Sequence, residues 1–148
     1  MTPFTFNTTP SLRMGAGLAS QLGDIVKPIC GDNILFVTDP GMVATGLVAP
    51  VIESLRAVGI TVRVFDQVQA DPPEAVILQA AYMARNVSGV VGFGGGSSLD
   101  VAKLAALLAA SEQPLTEAYG IGNAAGPRLP LVLVPTTSGT GSEVTPIS

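Results

Sequence analysis

Short apolar runs recur along the chain, separated by longer stretches in which apolar residues follow helical spacing. Most of these runs are nearly continuous in apolar character, which is typical of strands buried on both faces of a parallel sheet. The strands predicted in this way cover residues 33–38, 61–65, 89–93 and 129–134.

Helices are predicted between the strands, because apolar residues recur at helical spacing and proline or glycine marks several of the ends. They cover residues 18–26, 47–58, 74–86 and 99–110. The alternation predicts an α/β fold with a Rossmann-like parallel sheet and helices on both faces. One domain spanning residues 1–148 accounts for all of these elements.

Three further segments lie outside this alternation. Residues 4–7 and 11–14 are predicted to form a short N-terminal β-hairpin. Residues 39–41, Asp-Pro-Gly, are typical of a turn. Residues 111–128 contain prolines and glycines and are predicted to form a long surface connection.

Composition narrows the function classes. Only 12% of residues are charged, the net charge is −4 and the basic residues are scattered, so nucleic acid is an unexpected partner. No apolar run reaches the roughly 18 residues that would cross a bilayer, and the N-terminus lacks the pattern of a signal peptide. Cys30 is the only cysteine, which excludes an internal disulfide and suits a reducing cytoplasm. We expect it to be a small buried hydrophobe.

The chain contains no histidine. Histidine is the commonest general base and the commonest protein ligand of transition metals. We therefore expect no catalytic metal site formed by these residues.

A glycine-rich stretch stands between the third predicted strand and the helix after it. A strand, a glycine turn and a helix present bare backbone N–H groups and a positive helix end to an anion. The stretch Gly94-Gly95-Gly96-Ser97-Ser98 is thus predicted to hold a pyrophosphate, with the serines capping the helix or donating to phosphate. A tight βα turn without a ligand is the alternative, since the stretch matches neither the G-x-G-x-x-G fingerprint nor a P-loop.

Two other strand ends carry polar residues. Ligands of parallel sheets bind beyond the carboxyl ends of the strands, where Asp39 and the Thr/Ser/Gly run at 136–142 are expected to lie. A carboxylate there is suited to ribose hydroxyls and repels a 2′-phosphate, which favours NAD over NADP. The alternatives are an Asx turn at Asp39 and hydroxyls that merely satisfy the local backbone.

Three stretches together resemble the iron-containing (group III) alcohol dehydrogenase family. They are Val-Thr-Asp-Pro-Gly at 37–41, Gly-Gly-Gly-Ser-Ser-Leu-Asp-Val-Ala-Lys at 94–103 and Pro-Thr-Thr-Ser-Gly-Thr-Gly-Ser-Glu-Val at 135–144. The resemblance covers the whole chain but only the family's N-terminal nucleotide-binding domain, which has a dehydroquinate synthase-like fold. It implies that the family's helical metal-binding domain is absent from this chain.

The resemblance also implies a set of site residues. The glycine turn would hold the NAD pyrophosphate, Asp39 would lie by the adenosine ribose, and Thr136 and Thr137 in the loop after the last strand would line the nucleotide cleft. Ser142 and Glu143 would brace that loop, and Asp100 and Lys103 would lie toward the nicotinamide. The implied cofactor-binding set is Asp39, Gly94, Gly95, Gly96, Ser97, Ser98, Asp100, Lys103, Thr136, Thr137, Ser138 and Thr140.

The implied activity is NAD-dependent, metal-assisted hydride transfer between an alcohol or aldehyde and NAD. Fe2+ or Zn2+ would be held by residues outside this chain. On its own, the chain would bind NAD without turnover. A cytoplasmic homodimer, completed by the helical domain, is expected. The alternatives are a sibling resembling glycerol dehydrogenase, dehydroquinate synthase or maleylacetate reductase, and a stand-alone NAD-binding or interaction module.

Overall fold

Four parallel strands form a single sheet in a computed structural model that describes residues 9–111, 113–118 and 122–145. Their order across the sheet is β2-β1-β3-β4. The strands are β1 (Asn33–Val37), β2 (Thr61–Phe65), β3 (Gly89–Gly94) and β4 (Leu131–Pro135). The parallel α/β fold predicted from the sequence is confirmed.

Helices precede and connect these strands. They are α1 (Leu22–Cys30), α2 (Pro40–Ala44), α3 (Val48–Ala57), α4 (Glu74–Ala84), α5 (Gly96–Ala110) and α6 (Leu115–Ala118), with a 3-10 turn (Leu18–Gln21) before α1. Within the described ranges, no helix combines the length and the apolar character that crossing a bilayer requires.

The sheet is covered on both faces, which explains the continuous apolar character of β1. Its side chains alternate, so that Ile34 and Phe36 pack with α1 and α3 while Leu35 and Val37 pack with α4 and α5. All four side chains are completely buried. The chemistry of such a domain must therefore lie at an edge of the sheet.

Helix α1 approaches β3 so closely that no side chain fits between them. A Cβ at Gly89 would lie 2.4 Å from Cys30 Cβ, well inside van der Waals contact. Burial raises the pKa of the Cys30 thiol to about 11, and the thiol is 1% exposed. The prediction that Cys30 is a small buried hydrophobe is confirmed, because a protonated, inaccessible thiol is a poor nucleophile.

Strand connectivity places a crevice at the carboxyl edge of the sheet. From β1 the chain passes to β2 on one side, and it returns through α4 to β3 on the other side of β1. The segments that leave β1 and β3 therefore diverge toward opposite faces. This reversal of strand order is the position at which open α/β sheets bind their ligands.

The structure corrects three local predictions. Residues 11–14 form no strand with the described part of the chain, and the other predicted arm of the hairpin, residues 4–7, lies outside it. Asp39, Pro40 and Gly41 are the N-cap and first residues of α2, since Asp39 and Pro40 are also favourable helix starters. The connection after α5 contains α6, so it is not wholly irregular.

Candidate functional site

The crevice between the ends of β1 and β3 has a volume of about 410 Å³. Three segments line it, namely residues 39–41, 68–70 and 95–98. They follow β1, β2 and β3, so three neighbouring parallel strands deliver their carboxyl ends to one place. The volume lies within the range of about 300–1,000 Å³ that small-molecule sites occupy.

The positive end of α5 faces this crevice. The helix begins at Gly96, three residues before the predicted start at Leu99, and its N-cap is Gly95. Gly95 has extended backbone and supplies no side-chain cap. Of the two roles expected for Ser97 and Ser98, capping the helix is therefore wrong, and donating to phosphate stays a prediction. First-turn N–H groups that no side chain caps are suited to bind an anion.

Glycine is required at two positions of the turn for different reasons. Gly94 has φ +148°, and a Cβ there would lie 2.8 Å from Ser98 Oγ and 3.0 Å from an oxygen of Asp39. A Cβ at Gly96 would lie 2.8 Å from Thr140 Cγ2. The turn therefore lets two other segments approach its backbone, in addition to leaving room for a ligand.

Asp39 joins two of the segments through its carboxylate. Its Oδ1 accepts a hydrogen bond of 2.9 Å from the Met42 backbone N–H, which caps α2. Its Oδ2 accepts one of 3.0 Å from the Ser98 hydroxyl, across the switch in strand order. Asp39 itself is half-buried and lines the crevice, whereas Ser98 is 1% exposed.

The loop after β4 reaches the same edge. The Thr136 N–H donates to the Gly94 carbonyl at 2.9 Å, and the Thr136 hydroxyl lies 3.5 Å from Met42 Sδ. Thr137 faces Gly95, since a Cβ at that glycine would lie 3.7 Å from Thr137 Oγ1. The predicted threonines are thus brought to the glycine turn.

Residues 138–142 continue this loop along the start of α5. Ser138 and Thr140 are exposed. Ser142 is 6% exposed, and its N–H donates to the Thr140 hydroxyl at 3.3 Å. This contact uses the backbone of Ser142, so bracing of the loop by the Ser142 side chain stays a prediction; Glu143 lies farther along, beside a second cavity.

Asp100 and Lys103 lie apart from the crevice. They form an ion pair of 2.9 Å on one side of α5, and Lys103 Nζ lies 3.4 Å from the Thr145 carbonyl. Neither residue lines the crevice, whereas Lys103 lines the second cavity. Their predicted location toward a nicotinamide ring stays a prediction.

The second cavity is a groove of about 1200 Å³ along the outer edge of β4. Leu12 and Met14, which are 63% and 87% exposed, lie on it together with Leu104 and the side chains of β4. Its lining is mainly apolar. The smaller crevice is the better candidate for chemistry, because a carboxylate and helix N–H groups line it. The hydroxyl loop packs against the same glycine turn, but none of its residues lines the crevice.

Residues 68–70 are the part of the lining that sequence reasoning missed. Val68 is buried in the core, and Gln69 and Ala70 are exposed at the rim of the crevice. Only the topology could have predicted this part of the lining, because the chain beyond β2 also leaves the sheet at its carboxyl edge. No residue type in this segment indicates a ligand by itself.

Comparison with known proteins gives consistent matches over nearly the whole chain. A family model described as "Iron-containing alcohol dehydrogenase" matches residues 9–148. Long-chain-alcohol dehydrogenase 1 of Geobacillus thermodenitrificans is 42% identical over 147 residues, which cover 94% of this chain and 36% of that protein.

Two solved structures share the fold. A 1,3-propanediol oxidoreductase has a TM-score of 0.88 and 32% identity, with 97% of this chain and 38% of that one covered. A sulfoacetaldehyde reductase from Bifidobacterium kashiwanohense, solved in complex with NAD+, has a TM-score of 0.81 and 28% identity. In that pair, 98% of this chain and 39% of the other are covered. The chain spans between 36% and 38% of the length of the first curated relatives it matches.

Gly96→Ala tests the packing of the loop on α5. The added Cβ would collide with Thr140, so we expect the loop to be displaced, amide hydrogen exchange at Ser142 to accelerate and the protein to lose about 1–3 kcal/mol of stability. Gly95→Ala is the matched control, because its Cβ would make only ordinary contacts with Thr137. Equal exchange at Ser142 in both variants, measured by NMR, would contradict the proposed packing.

Proposed function

The chain belongs to the iron-containing alcohol dehydrogenase family, and we propose that it is the nucleotide-binding part of an NAD-dependent, metal-assisted alcohol dehydrogenase. The reaction is hydride transfer between an alcohol or aldehyde and NAD. The observation that supports this most directly is the meeting of Asp39 with the start of α5 at the switch in strand order.

The crevice fits the pyrophosphate of a nicotinamide coenzyme. Gly95, Gly96 and Ser97 are the half-buried members of the turn, and they line the crevice. Backbone N–H groups at a helix start bind phosphate oxygens, and the helix dipole favours the negative charge. These three residues are proposed to hold the pyrophosphate. Gly94 is buried, and its lack of a side chain leaves room for Ser98 and Asp39.

Asp39 is proposed to bind the adenosine ribose. Its carboxylate lies at the rim of the crevice, one strand away from the glycine turn. A carboxylate accepts hydrogen bonds from the two ribose hydroxyls, whereas it repels the 2′-phosphate of NADP. The chain is therefore expected to prefer NAD.

In the proposed mechanism, this chain binds the coenzyme and orients it. Bound NAD supplies the hydride acceptor. Thr136 and Thr137 do not line the crevice itself, but they are held against the glycine turn and α2, and they are proposed to limit the positions the coenzyme can take. Fixing the reactants in one orientation is itself a large part of catalysis by dehydrogenases.

The catalytic metal does not fit the residues present. The chain has no histidine, and the described residues contain no group of three or more Cys, Asp or Glu that could hold a metal ion. We propose that the Fe2+ or Zn2+ ligands are residues beyond these 148. The mainly apolar groove along β4 supports this view, because an exposed apolar surface often marks a docking face. The homodimer and the cytoplasmic location stay predictions.

Asp39→Ala tests the coenzyme site. We expect NAD affinity to fall roughly tenfold and the preference over NADP to narrow, since hydrogen bonds to the ribose and the repulsion of the 2′-phosphate are both lost. Isothermal titration of each coenzyme into the chain measures this. Asp24→Ala removes the same charge from an exposed site outside the crevice and should change neither affinity. An unchanged NAD affinity in Asp39→Ala would contradict the assignment.

The location of the metal ligands is tested by turnover. The purified chain is expected to bind NAD but to show no alcohol oxidation when an alcohol, NAD and Fe2+ or Zn2+ are supplied together. Absorbance of NADH measures the product. Metal-dependent NADH formation that rises in proportion to the chain's concentration would contradict the proposal.

A further inference from the structure

We infer that Ser98 sets the coenzyme preference of this chain by holding the Asp39 carboxylate, and that its hydroxyl does not bind coenzyme phosphate. The inference rests on the proposed function, because it concerns the same crevice. It reassigns a residue that the sequence placed in the pyrophosphate site.

Burial separates Ser98 from its neighbour Ser97. Both serines line the crevice, but Ser97 is half-buried whereas Ser98 is only 1% exposed. The Ser98 hydroxyl donates its proton to Asp39 Oδ2 at 3.0 Å. A hydroxyl has one proton to donate, so it has none left for a phosphate oxygen.

The Asp39 carboxylate is held at both oxygens. The Met42 N–H occupies one acceptor site on Oδ1, and Ser98 occupies one on Oδ2. Either hydrogen bond alone would let the carboxylate turn about the bond that carries it. Together they fix its plane, and each oxygen keeps a lone pair for a ribose hydroxyl.

A fixed carboxylate discriminates better than a free one. Hydrogen bonds to an already oriented acceptor cost no ordering on binding, which favours NAD. A 2′-phosphate would meet a negative charge that has no freedom to rotate away, which disfavours NADP. Loss of the Ser98 hydroxyl is thus expected to weaken NAD binding and relieve the penalty on NADP.

The glycine at position 94 is part of the same arrangement. A Cβ there would lie 2.8 Å from Ser98 Oγ and 3.0 Å from Asp39 Oδ2, which places it against both partners of the hydrogen bond. The absence of a side chain therefore leaves space for this bond. Gly94 leaves space for the hydrogen bond to the Asp39 carboxylate, whereas Gly95 and Gly96 line the crevice.

Ser98→Ala in the 148-residue chain tests the inference by titration with NAD and with NADP. We expect the ratio of the two affinities to move toward NADP by roughly fivefold, because the carboxylate loses one of the two hydrogen bonds that orient it. Ser97→Ala is the matched control, because any contact it loses is to the pyrophosphate that both coenzymes share, so the ratio should stay within about twofold. In an Asp39→Ala background, Ser98→Ala should no longer move the ratio.

Amide hydrogen exchange supplies a readout that needs no coenzyme. If Ser98 fixes the carboxylate, Ser98→Ala accelerates exchange of the Met42 N–H several-fold and leaves exchange in the core of β1 unchanged. Should Ser98→Ala fail to fold, Ser98→Cys retains a similar volume with a weaker donor and serves in both experiments.

The outcomes separate the two claims. Saturable NAD binding with an unchanged affinity ratio in the Ser98 variants would overturn the inference and leave the proposed function standing. Absence of NAD binding by the folded, unsubstituted chain would overturn the proposed function and the coenzyme preference together. Unchanged exchange at Met42 would overturn the positioning role whatever the coenzyme does.

Discussion

The hydrogen bond between Ser98 and Asp39 is the contact on which the candidate site depends. It ties the segment after β1 to the first turn of α5 at the point where strand order reverses. Without it, the carboxylate and the helix start would be two separate surface features. With it, the Asp39 carboxylate and the positive end of α5 are held side by side. This arrangement suits a ligand that carries both hydroxyls and phosphates.

The fold places Asp39 and the start of α5 at the carboxyl edge of the sheet, where a ligand has access. Helices cover both faces of the sheet, and β1 is buried on both sides. Polar groups therefore collect at the carboxyl edge, where the chain leaves the sheet and the backbone has free N–H groups. The close approach of α1 to β3 at Gly89, and of the loop after β4 to α5 at Gly96, shows that several glycines here are packing requirements.

Much of the fold follows from local sequence, and the reason is burial. The apolar runs predicted β2 without error and β1 and β3 to within one residue, because strands covered on both faces tolerate few polar residues. The sequence also predicted that the glycine-rich turn and Asp39 lie at the same edge of the sheet, since glycine runs and acids at strand ends can be recognised without a structure. The family resemblance was confirmed by a match over residues 9–148.

The features of the site that the sequence did not predict depend on contacts that no local pattern encodes. Ser97 and Ser98 are the same residue type, and only the folded chain shows that Ser98 is buried and hydrogen-bonded to the distant Asp39. The start of α5 at Gly96 depends on the backbone, since its N-cap Gly95 contributes no side chain. Residues 68–70 enter the lining through topology alone. Such features require the fold before they can be recognised.

The most direct test of the central claim is an NMR titration of NAD into the isotopically labelled chain. We predict that the largest amide shifts occur at Gly95, Gly96 and Ser97, with smaller ones at Asp39 and Thr136–Thr137, and that the amides along the β4 groove stay unchanged. Shifts concentrated at Leu12, Met14 and Leu104, or saturable binding without shifts at the glycine turn, would contradict it.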